Sequence, residues 1–342
     1  MSFSLRPAVR EKIGLLFGIA GASGSGKTFS ALLLAKGIAN GTGRIAVIDT
    51  EAGRALHYAP NPGKTAADQP GSFDFLHLDF QPPFTPERYI EAIRACEEAG
   101  ATVIVVDSMS HEWSGEGGCS DIQTEEATRM ATGKDGVLAA WRLDAMTAPA
   151  WKKPKMRHQR MMARLIQSRT HLIFCFRAQE KIKIAKNDDG KGTKIVPMGF
   201  QPICEKSMMF EMSGSMILHP DAPGCPDYSL PHKLNDHLQS IFPHGKLIGD
   251  EAGKRLRLWA ETGAERPQSD KAADGVRDLI ERIQDCDHQG LMALTMDTAI
   301  KKQRMWLGEK RPELAERVTN AIEAALAVHD QTDASEFGDK EP

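Results

Sequence analysis

The string GASGSGKT at residues 21–28 constrains this chain more than any other feature. It satisfies the pattern G-x-x-x-x-G-K-[ST], with Gly21, Gly26, Lys27 and Thr28 at the required places. A short apolar run precedes it, and a helical pattern, KTFSALLLAKGIAN, opens within it. Glycines let successive backbone N–H groups converge on phosphates, and a helix N-terminus adds a partial positive charge. The string therefore predicts a phosphate-binding loop between a buried strand and a helix.

A loop of this kind predicts a nucleoside triphosphate held with Mg²⁺, and we expect ATP rather than GTP. Lys27 is expected to bridge the β- and γ-phosphates, and the Thr28 hydroxyl is expected to ligate Mg²⁺. One alternative is a flexible glycine turn. A dinucleotide-binding loop is excluded, because the sequence here contains no G-x-G-x-x-G. The predicted nucleotide contacts are Gly21, Ala22, Ser23, Gly24, Ser25, Gly26, Lys27 and Thr28.

Apolar, strand-like runs alternate with helical patterns along the rest of the core sequence. This alternation predicts an α/β protein with a mainly parallel sheet flanked by helices. The composition shifts near the end of the core. The predicted parts are an ATPase core at 1–260, a linker at 261–274, a small helical domain at 275–328, and an acidic disordered tail at 329–342.

The overall composition is that of an ordinary soluble protein. The net charge is −3, and the six cysteines include no CxxC pair, which suits a reducing cytoplasm and argues against a cysteine metal site. The apolar run at 13–20 is too short to span a bilayer. We therefore expect a cytoplasmic protein with no membrane partner.

Two carboxylates are candidates for the chemistry of hydrolysis. The apolar run VIVVD at 103–107 predicts a Walker B strand that delivers Asp107 to the Mg²⁺ shell. Hydrolysis also needs a group that orients or deprotonates water, and the residue after Asp107 is Ser108 rather than a glutamate. Glu51, in VIDTE, is the better candidate for the base, although it could simply cap a surface loop. Glu112, in SMSHEW, is the second candidate.

The order of these motifs resembles the RecA-like recombinase core. After the phosphate-binding loop come a strand ending in Asp49-x-Glu51, the string VIVVDS, and the strand LIFCF followed by Arg177, Ala178 and Gln179. In that family the glutamate at the end of the strand after the loop helix is the catalytic base, and a polar residue after the later strand senses the γ-phosphate. The resemblance implies that Glu51 is the base and that Arg177 or Gln179 is the sensor.

Residues 1–260 also resemble AAA-type ATP-binding proteins encoded by phages and prophages. The strings that carry this likeness are VIDTEAGRALHY, VVDSMSHEWSGEGG and PICEK. Some relatives of that group are RecA-like single-strand annealing or recombination factors, which implies a DNA partner, a ring or filament of subunits, and a bacterial host cell. The chain departs from the RecA pattern in two respects. Its sensor position is not a plain glutamine, and the RecA DNA-binding loops have no clear match.

A local positive segment predicts where single-stranded DNA would bind. Residues 151–170 contain seven basic side chains and no acid, with Trp113, Trp141 and Trp151 in or beside the same region. Basic groups interleaved with aromatic rings suit a single strand, because the former contact phosphates and the latter stack on bases. The predicted DNA contacts are Trp151, Lys152, Lys153, Lys155, Arg157, Arg160 and Arg164.

Other interpretations of this part of the chain stay open. The basic segment could be a solvated helix face that packs on the core through Met161, Met162, Leu165 and Ile166. The alternating pattern KIKIAKNDDGKGTKIVP predicts a β-hairpin. Its lysines could contact DNA, act in a neighbouring subunit's nucleotide site, or line a solvated face. These lysines are Lys181, Lys183 and Lys186.

The sequence thus predicts a RecA-like protein that hydrolyses ATP and acts as an oligomer in DNA recombination or single-strand annealing. An ATP-driven DNA motor, of helicase or packaging type, would instead translocate in one direction. A small-molecule kinase would transfer phosphate to an acceptor other than water, and its Arg-rich lid motifs are not evident in the sequence. A regulatory switch would turn its nucleotide over very slowly.

Overall fold

The structure, a computed structural model, describes residue 8 and residues 12–133, 135–186, 192–262, 271–286 and 288–337. The chain divides into two compact units, Met1–Glu265 and Arg266–Pro342. Each unit is described by itself below.

The first unit is built on a seven-stranded sheet. The strands run in the order β3-β2-β4-β5-β1-β7, and all neighbours in this order are parallel. Strand β6 pairs with the far half of β5 in an antiparallel hairpin. The strands are β1 (Leu16–Gly21), β2 (Arg44–Asp49), β3 (Leu76–Asp79), β4 (Ala101–Asp107), β5 (His171–Lys186), β6 (Thr193–Pro202) and β7 (Gly214–Leu218).

Helices cover both faces of this sheet. Their boundaries follow local chemistry: the helix that begins at Pro86 is capped by Thr85, whose side chain accepts a hydrogen bond from the Arg88 backbone N–H. The helices are α1 (Lys27–Ala39), α2 (Pro86–Glu98), α3 (Ser110–Ser114), α4 (Cys119–Ala131), α5 (Ala140–Ala150), α6 (Lys152–Gln167), α7 (Met208–Glu211), α8 (Asp236–Ile241) and α9 (Asp250–Glu261), with a 3-10 turn at Arg54–Tyr58.

The core lies in two layers, one on each face of the sheet. Successive residues of a strand point to opposite faces, so Phe17 and Ile19 join the layer that contains α1 and α9. Leu16 and Ala20 join the layer that contains α2 and α6. All six residues of β1 are buried, as expected for a parallel strand covered on both sides. This double cover explains why the central strands read as continuous apolar runs.

Helices α1 and α9 pack closely because each has a glycine at the contact. A Cβ added to Gly37 would lie 1.9 Å from the Asp250 carbonyl oxygen and 2.8 Å from the Gly253 Cα. A Cβ added to Gly253 would lie 2.3 Å from the Leu34 carbonyl oxygen. Neither position has room for a side chain, so the two glycines set the separation of the helices.

The second unit is helical over its described residues. Its core contains Val276, Leu279 and Ile283 from the first helix, packed with Leu307 and Val318 from later ones. The helices are α10 (Lys271–Asp285), α11 (His288–Met296), α12 (Thr298–Lys310) and α13 (Pro312–Phe337). No helix among the described residues of either unit is long and apolar enough to cross a membrane.

The predicted α/β class, a mainly parallel sheet flanked by helices, is confirmed. A detail differs from the sequence prediction. Helix α13 continues through Phe337, so the acidic segment predicted to be disordered from residue 329 is helical up to that point. Residues 329–337 include no glycine or proline that would end a helix. Most of the predicted linker, at 263–270, and residues 188–191 of the predicted DDGKG turn lie outside the described residues.

The close packing of α1 and α9 yields a stability prediction. Gly253→Ala should lower the free energy of unfolding by about 1–3 kcal/mol, the usual range for overpacking, although alanine is the better helix former. Denaturant unfolding followed by circular dichroism measures this change. Gly308→Ala in α12 is the matched control, because nothing lies within 4 Å of its added Cβ; it should stabilise by up to about 1 kcal/mol. Equal behaviour of the two variants would contradict the prediction.

Candidate nucleotide-binding site

The carboxyl ends of the parallel strands bring the predicted residues to one edge of the sheet. In the strand register Asp49 lies beside Asp107, Asp107 lies beside Cys175, and Gly21 lies beside Arg177. Strand β5 stands between β1, which leads into the phosphate-binding loop, and β4, which carries Asp107. In open α/β sheets this edge is where ligands bind.

The phosphate-binding loop is a tight backbone turn that depends on its glycines. Gly24 and Gly26 have φ of 81° and 79°, a region that side chains rarely adopt. A Cβ on Gly21 would lie 2.1 Å from the Ser25 hydroxyl. Helix α1 begins at Lys27, directly after the turn. Ser23 and Gly24 are exposed, whereas Ala22, Gly26, Lys27 and Thr28 are half-buried.

Gly224, far along the chain, packs against the phosphate-binding loop. The Gly224 backbone N–H donates to the Ser25 carbonyl oxygen at 2.9 Å, and a Cβ on Gly26 would lie 2.9 Å from the Gly224 nitrogen. The Ser25 side chain is buried, and its hydroxyl has no partner among the described residues. Sequence reasoning missed Gly224, since only the APGC turn around it hinted at tight packing.

Thr28 and Asp107 are in direct contact. The Thr28 hydroxyl donates to Asp107 Oδ2 at 2.6 Å, while Oδ1 of the same carboxylate is buried without a partner among the described residues. Burial raises the pKa of Asp107 from 3.8 to about 6; the neighbouring carboxylates of Glu51 and Asp49 add to this, and Thr28 and Lys27 oppose it. The site therefore holds a concentration of negative charge that a cation would relieve.

Asp49 shapes the turn after β2. One of its carboxylate oxygens accepts from the Glu51 N–H at 2.7 Å, and the other accepts from the Ala55 N–H at 2.9 Å. His77 Nε2 lies 3.3 Å from the second oxygen. The buried carboxylate thus satisfies the backbone of the turn and directs Glu51, two residues later, toward the edge of the sheet.

The structure brings Glu51 and Arg177 together. Arg177 Nε donates to Glu51 Oε1 at 2.8 Å, and Arg54 Nη1 donates to Glu51 Oε2 at 3.2 Å. The Glu51 side chain is only 11 % exposed. The Arg177 backbone N–H donates to the Ser110 hydroxyl at 2.9 Å, which anchors β5 at the point where its pairing with β1 ends. Gln179 is exposed and lies opposite Gln201 in the hairpin.

Glu112 lies in a different environment. It is fully buried, with His158 Nδ1 and Cys119 Sγ each 3.1 Å from its Oε1. Its other oxygen, and Nε2 of His158, have no partner among the described residues. A carboxylate enclosed between α3, α4 and α6 has no direct path to a water beside the loop, so the geometry favours Glu51 over Glu112 as the base.

Several polar groups near Asp107 belong to no motif that could be recognised in the sequence. The Thr50 hydroxyl accepts from the Ser108 N–H at 2.7 Å and lies 2.7 Å from His111 Nδ1. These bonds join the end of β2 to the end of β4. The peptide bond between Asp107 and Ser108 is cis.

Tyr58 is a second residue that sequence reasoning missed. Its ring lies 5.8 Å from that of Phe29, the residue that follows Thr28. Burial raises the pKa of Tyr58, and the charge of the Asp107 carboxylate adds to the effect. The available signal was an aromatic residue shortly after Glu51 in VIDTEAGRALHY.

The basic segment on α6 is partly neutralised by the chain itself. Arg157 forms a two-pronged ion pair with Glu87, and Lys153 Nζ lies 3.1 Å from Glu126. Such pairs reduce the charge available to a phosphate backbone. The exposed basic residues of α6 are Lys152, Lys153, Lys155 and Arg160, while Arg157 and Arg164 are half-buried.

The aromatic and apolar residues of this region divide between surface and interior. Trp151 stacks on Trp113 with ring centroids 5.1 Å apart, and Trp141 is 82 % exposed. Ile166 is 50 % exposed, so its predicted packing on the core is wrong; it points away from the face through which α6 packs. The predicted buried face is otherwise present, with Met161, Met162 and Leu165. The hairpin lysines Lys181, Lys183 and Lys186 are exposed.

The raised pKa of Asp107 predicts a pH-dependent stability. An acid whose pKa is higher in the folded state destabilises the fold as pH rises from its unfolded value, here 3.8, through about 6. Asp107→Asn removes this effect, so the variant should gain stability over the wild type across that interval and stay ahead at pH 8. Denaturant unfolding of both nucleotide-free chains from pH 4 to pH 8 measures the difference, and a pH-independent difference would contradict the assignment.

Comparison with known families agrees with this geometry. No curated protein matches the chain. A family model described as an AAA domain matches residues 14–213, a range that contains the phosphate-binding loop, Glu51, Asp107 and Arg177. This match covers more than half of the chain, so the protein belongs to the AAA domain family of P-loop ATPases.

Proposed function

We propose that this protein binds ATP with Mg²⁺ and hydrolyses it, with Glu51 as the general base. The observation that carries the proposal is the meeting of three groups at one sheet edge. They are the phosphate-binding loop, the Thr28–Asp107 hydrogen bond of 2.6 Å, and a mostly buried Glu51 at the end of the neighbouring strand.

The residues present fit a nucleotide and its metal ion. The loop glycines permit the tight turn that exposes backbone N–H groups to phosphates, since Gly24 and Gly26 have positive φ and a Cβ on Gly21 or Gly26 would clash with the neighbouring chain. Asp107 Oδ1 is buried without a partner among the described residues, and carboxylate and hydroxyl oxygens are the ligands that Mg²⁺ prefers. Thr28 and Asp107 would therefore hold Mg²⁺, and Lys27 would contact the phosphates. Bound Mg²⁺ would neutralise charge that develops on the phosphate oxygens.

Glu51 must change partners before it acts. Both of its oxygens now accept hydrogen bonds from guanidinium groups, those of Arg177 and Arg54. Each bond occupies one of the two acceptor sites of its oxygen, and together they fix the carboxylate toward the arginines rather than toward a water. In our proposal the γ-phosphate draws the Arg177 guanidinium toward itself, which frees Glu51 to take a proton from the attacking water. Arg177 would thus sense the nucleotide and release the base in a single movement, a role that suits it better than Gln179, which lies opposite Gln201 in the hairpin.

We further propose that hydrolysis acts on single-stranded DNA, in recombination or annealing of the phage type, by an oligomer of this chain. The exposed cations of α6 and of the β5–β6 hairpin support this assignment. The ion pairs of Lys153 and Arg157 weigh against a large contribution from these two side chains. The hairpin starts directly after Arg177, so a movement of this residue reaches the proposed DNA surface along one strand.

A second candidate function is a nucleotide-dependent switch with slow turnover. The hydrogen bonds from Arg177 and Arg54 to Glu51 favour the switch. If Glu51 stays bound to these arginines, it does not activate water, and the bound triphosphate is not hydrolysed. In that case the state of the nucleotide, rather than the rate of hydrolysis, would govern partner binding. The two functions differ in what happens when Arg177 is removed.

Replacement of the base tests the main proposal. Glu51→Gln should lower the steady-state rate of ATP hydrolysis by about a hundredfold or more, the usual contribution of a general base. Nucleotide affinity should change little, because Glu51 is not predicted to bind phosphate. The measurement is ATP turnover and ATP binding with single-stranded, duplex and no DNA. Single strands should stimulate the wild type and leave the variant inactive.

Glu116→Gln is the matched control for Glu51→Gln. Glu116 is exposed, and the same loss of charge at this position should leave turnover unchanged. Full activity of Glu51→Gln would exclude Glu51 as the base. Turnover that is indifferent to DNA, with no DNA binding in low salt, would refute the DNA assignment while leaving the ATPase assignment in place.

Removal of the sensor separates the two candidate functions. Arg177→Ala should lower turnover by about a hundredfold, the usual effect of losing one group that stabilises charge in the transition state. The measurement is single-turnover hydrolysis with saturating ATP. A faster rate in this variant would show instead that Arg177 mainly restrains Glu51, and the switch would then be the better description. Arg54→Ala is the comparison variant, since Arg54 contacts Glu51 from a mostly exposed position.

A further inference from the structure

Helix α12 of the second unit carries cations and an aromatic ring on one exposed face. Lys302, Trp306 and Lys310 are spaced four residues apart, so they follow one another along the same side of the helix. All three are exposed, and half of the Trp306 surface is open. With a rise of about 1.5 Å per residue, each lysine lies about 6 Å from the tryptophan along the helix axis.

Another side of α12 packs in the core of the unit. Ile300 and Leu307 are buried there, seven residues apart and therefore on one face. At about 100° per residue, this face lies roughly a third of a turn away from Trp306. Trp306 is half exposed and Met305 is 70 % exposed, so the core leaves both of these large apolar side chains accessible to a partner.

A positively charged groove adjoins this face. It has a volume of about 400 Å³ and is lined by Lys301, Arg304 and Met305 of α12 and by Ala315 and Thr319 of α13. No acidic side chain is among these lining residues. The groove therefore extends the positive face of α12 toward α13 without an opposing charge inside it.

The cations of α12 are available to a partner. Lys302, Arg304 and Lys310 make no ion pair within the part of the chain that the structure describes. One acid of the same helix, Glu309, is exposed and directly precedes Lys310 in sequence. Helix α6 differs, because there Lys153 and Arg157 are held by acids of the same chain.

We propose that the exposed face of α12 binds single-stranded DNA, with Trp306 stacked on a base and Lys302 and Lys310 on the flanking phosphates. A strand is indicated rather than a duplex, because an indole can stack only on a base that is not enclosed in a double helix. Arg304 and Lys301 would hold the backbone along the groove. This surface assigns a role to the helical unit and lies outside the ATPase site, so it does not depend on hydrolysis.

The test uses the full chain without nucleotide and a fluorescent thymidine 30-mer, with anisotropy as the readout. Trp306→Ala should weaken binding by about fivefold to 150-fold, the range expected for the loss of stacking on one base. Trp306→Phe, which keeps an aromatic ring, should restore most of the affinity. Circular dichroism should show an unchanged helix content for both variants, because Trp306 does not contribute to the core.

The contribution of the lysines is measured separately, through the dependence of DNA affinity on salt concentration. Each phosphate contact on a single strand contributes about 0.7 to the slope of log affinity against log salt concentration. The double variant Lys302→Ala with Lys310→Ala should therefore reduce the slope by about 1.4. Arg317→Ala, which removes an exposed cation from the neighbouring helix α13, is the matched control and should leave the slope unchanged.

Several outcomes would overturn this inference. They are unaltered affinity and salt slope in the α12 variants, equal or tighter binding of an RNA of matching sequence, and failure of the wild type to bind any nucleic acid in low salt. The last result would point to an acidic protein surface as the partner. A separate failure is distinguishable: if the chain binds DNA through α12 yet does not hydrolyse ATP, only the proposed ATPase function falls.

Discussion

The parallel pairing of β2, β4 and β5 is the constraint on which the rest of the site depends. It sets Asp49, Asp107 and Cys175 side by side at one edge of the parallel sheet. One consequence is electrostatic, because burial, together with the neighbouring carboxylates of Glu51 and Asp49, raises the pKa of Asp107 to about 6. The fold thus maintains an unfavourable charge arrangement where a metal ion and phosphates would enter. This charge arrangement lowers the free energy of unfolding of the protein, a cost that is common at functional sites.

The proposed residues divide by what holds them in place. Lys27 and Thr28 stand at the start of a helix whose position is set by the glycine contact between α1 and α9. Glu51 stands on a turn held by the Asp49 carboxylate. The Arg177 backbone is fixed by its place beside Gly21 in the sheet and by hydrogen bonds with Ser110 and Ile203. Its side chain is 46 % exposed and contacts Glu51. The Arg177 side chain can therefore move at less cost than Lys27, Thr28 and Glu51.

The sequence alone predicts the fold class and the candidate residues, because periodicity and glycine spacing are local properties. Contacts across the sheet are different. The ion pair of Arg177 with Glu51 joins residues 126 positions apart, and no local pattern announces it. The same reason limited the interpretation of α6: Glu87 is 70 positions from Arg157, so a segment that reads as purely basic is partly neutralised. Tyr58 and Thr50 were missed because neither belongs to a recognisable spacing.

Three consecutive residues of α3 bind three separate parts of the first unit. Ser110 accepts from the backbone of Arg177, His111 contacts Thr50, and Glu112 contacts His158 of α6. A helix of a single turn moves as a rigid unit, so a shift at one of these contacts changes the other two. If the backbone of Arg177 shifts, either one of these contacts breaks or α3 rotates as a whole. The buried Glu112–His158 pair would then pass that rotation to α6.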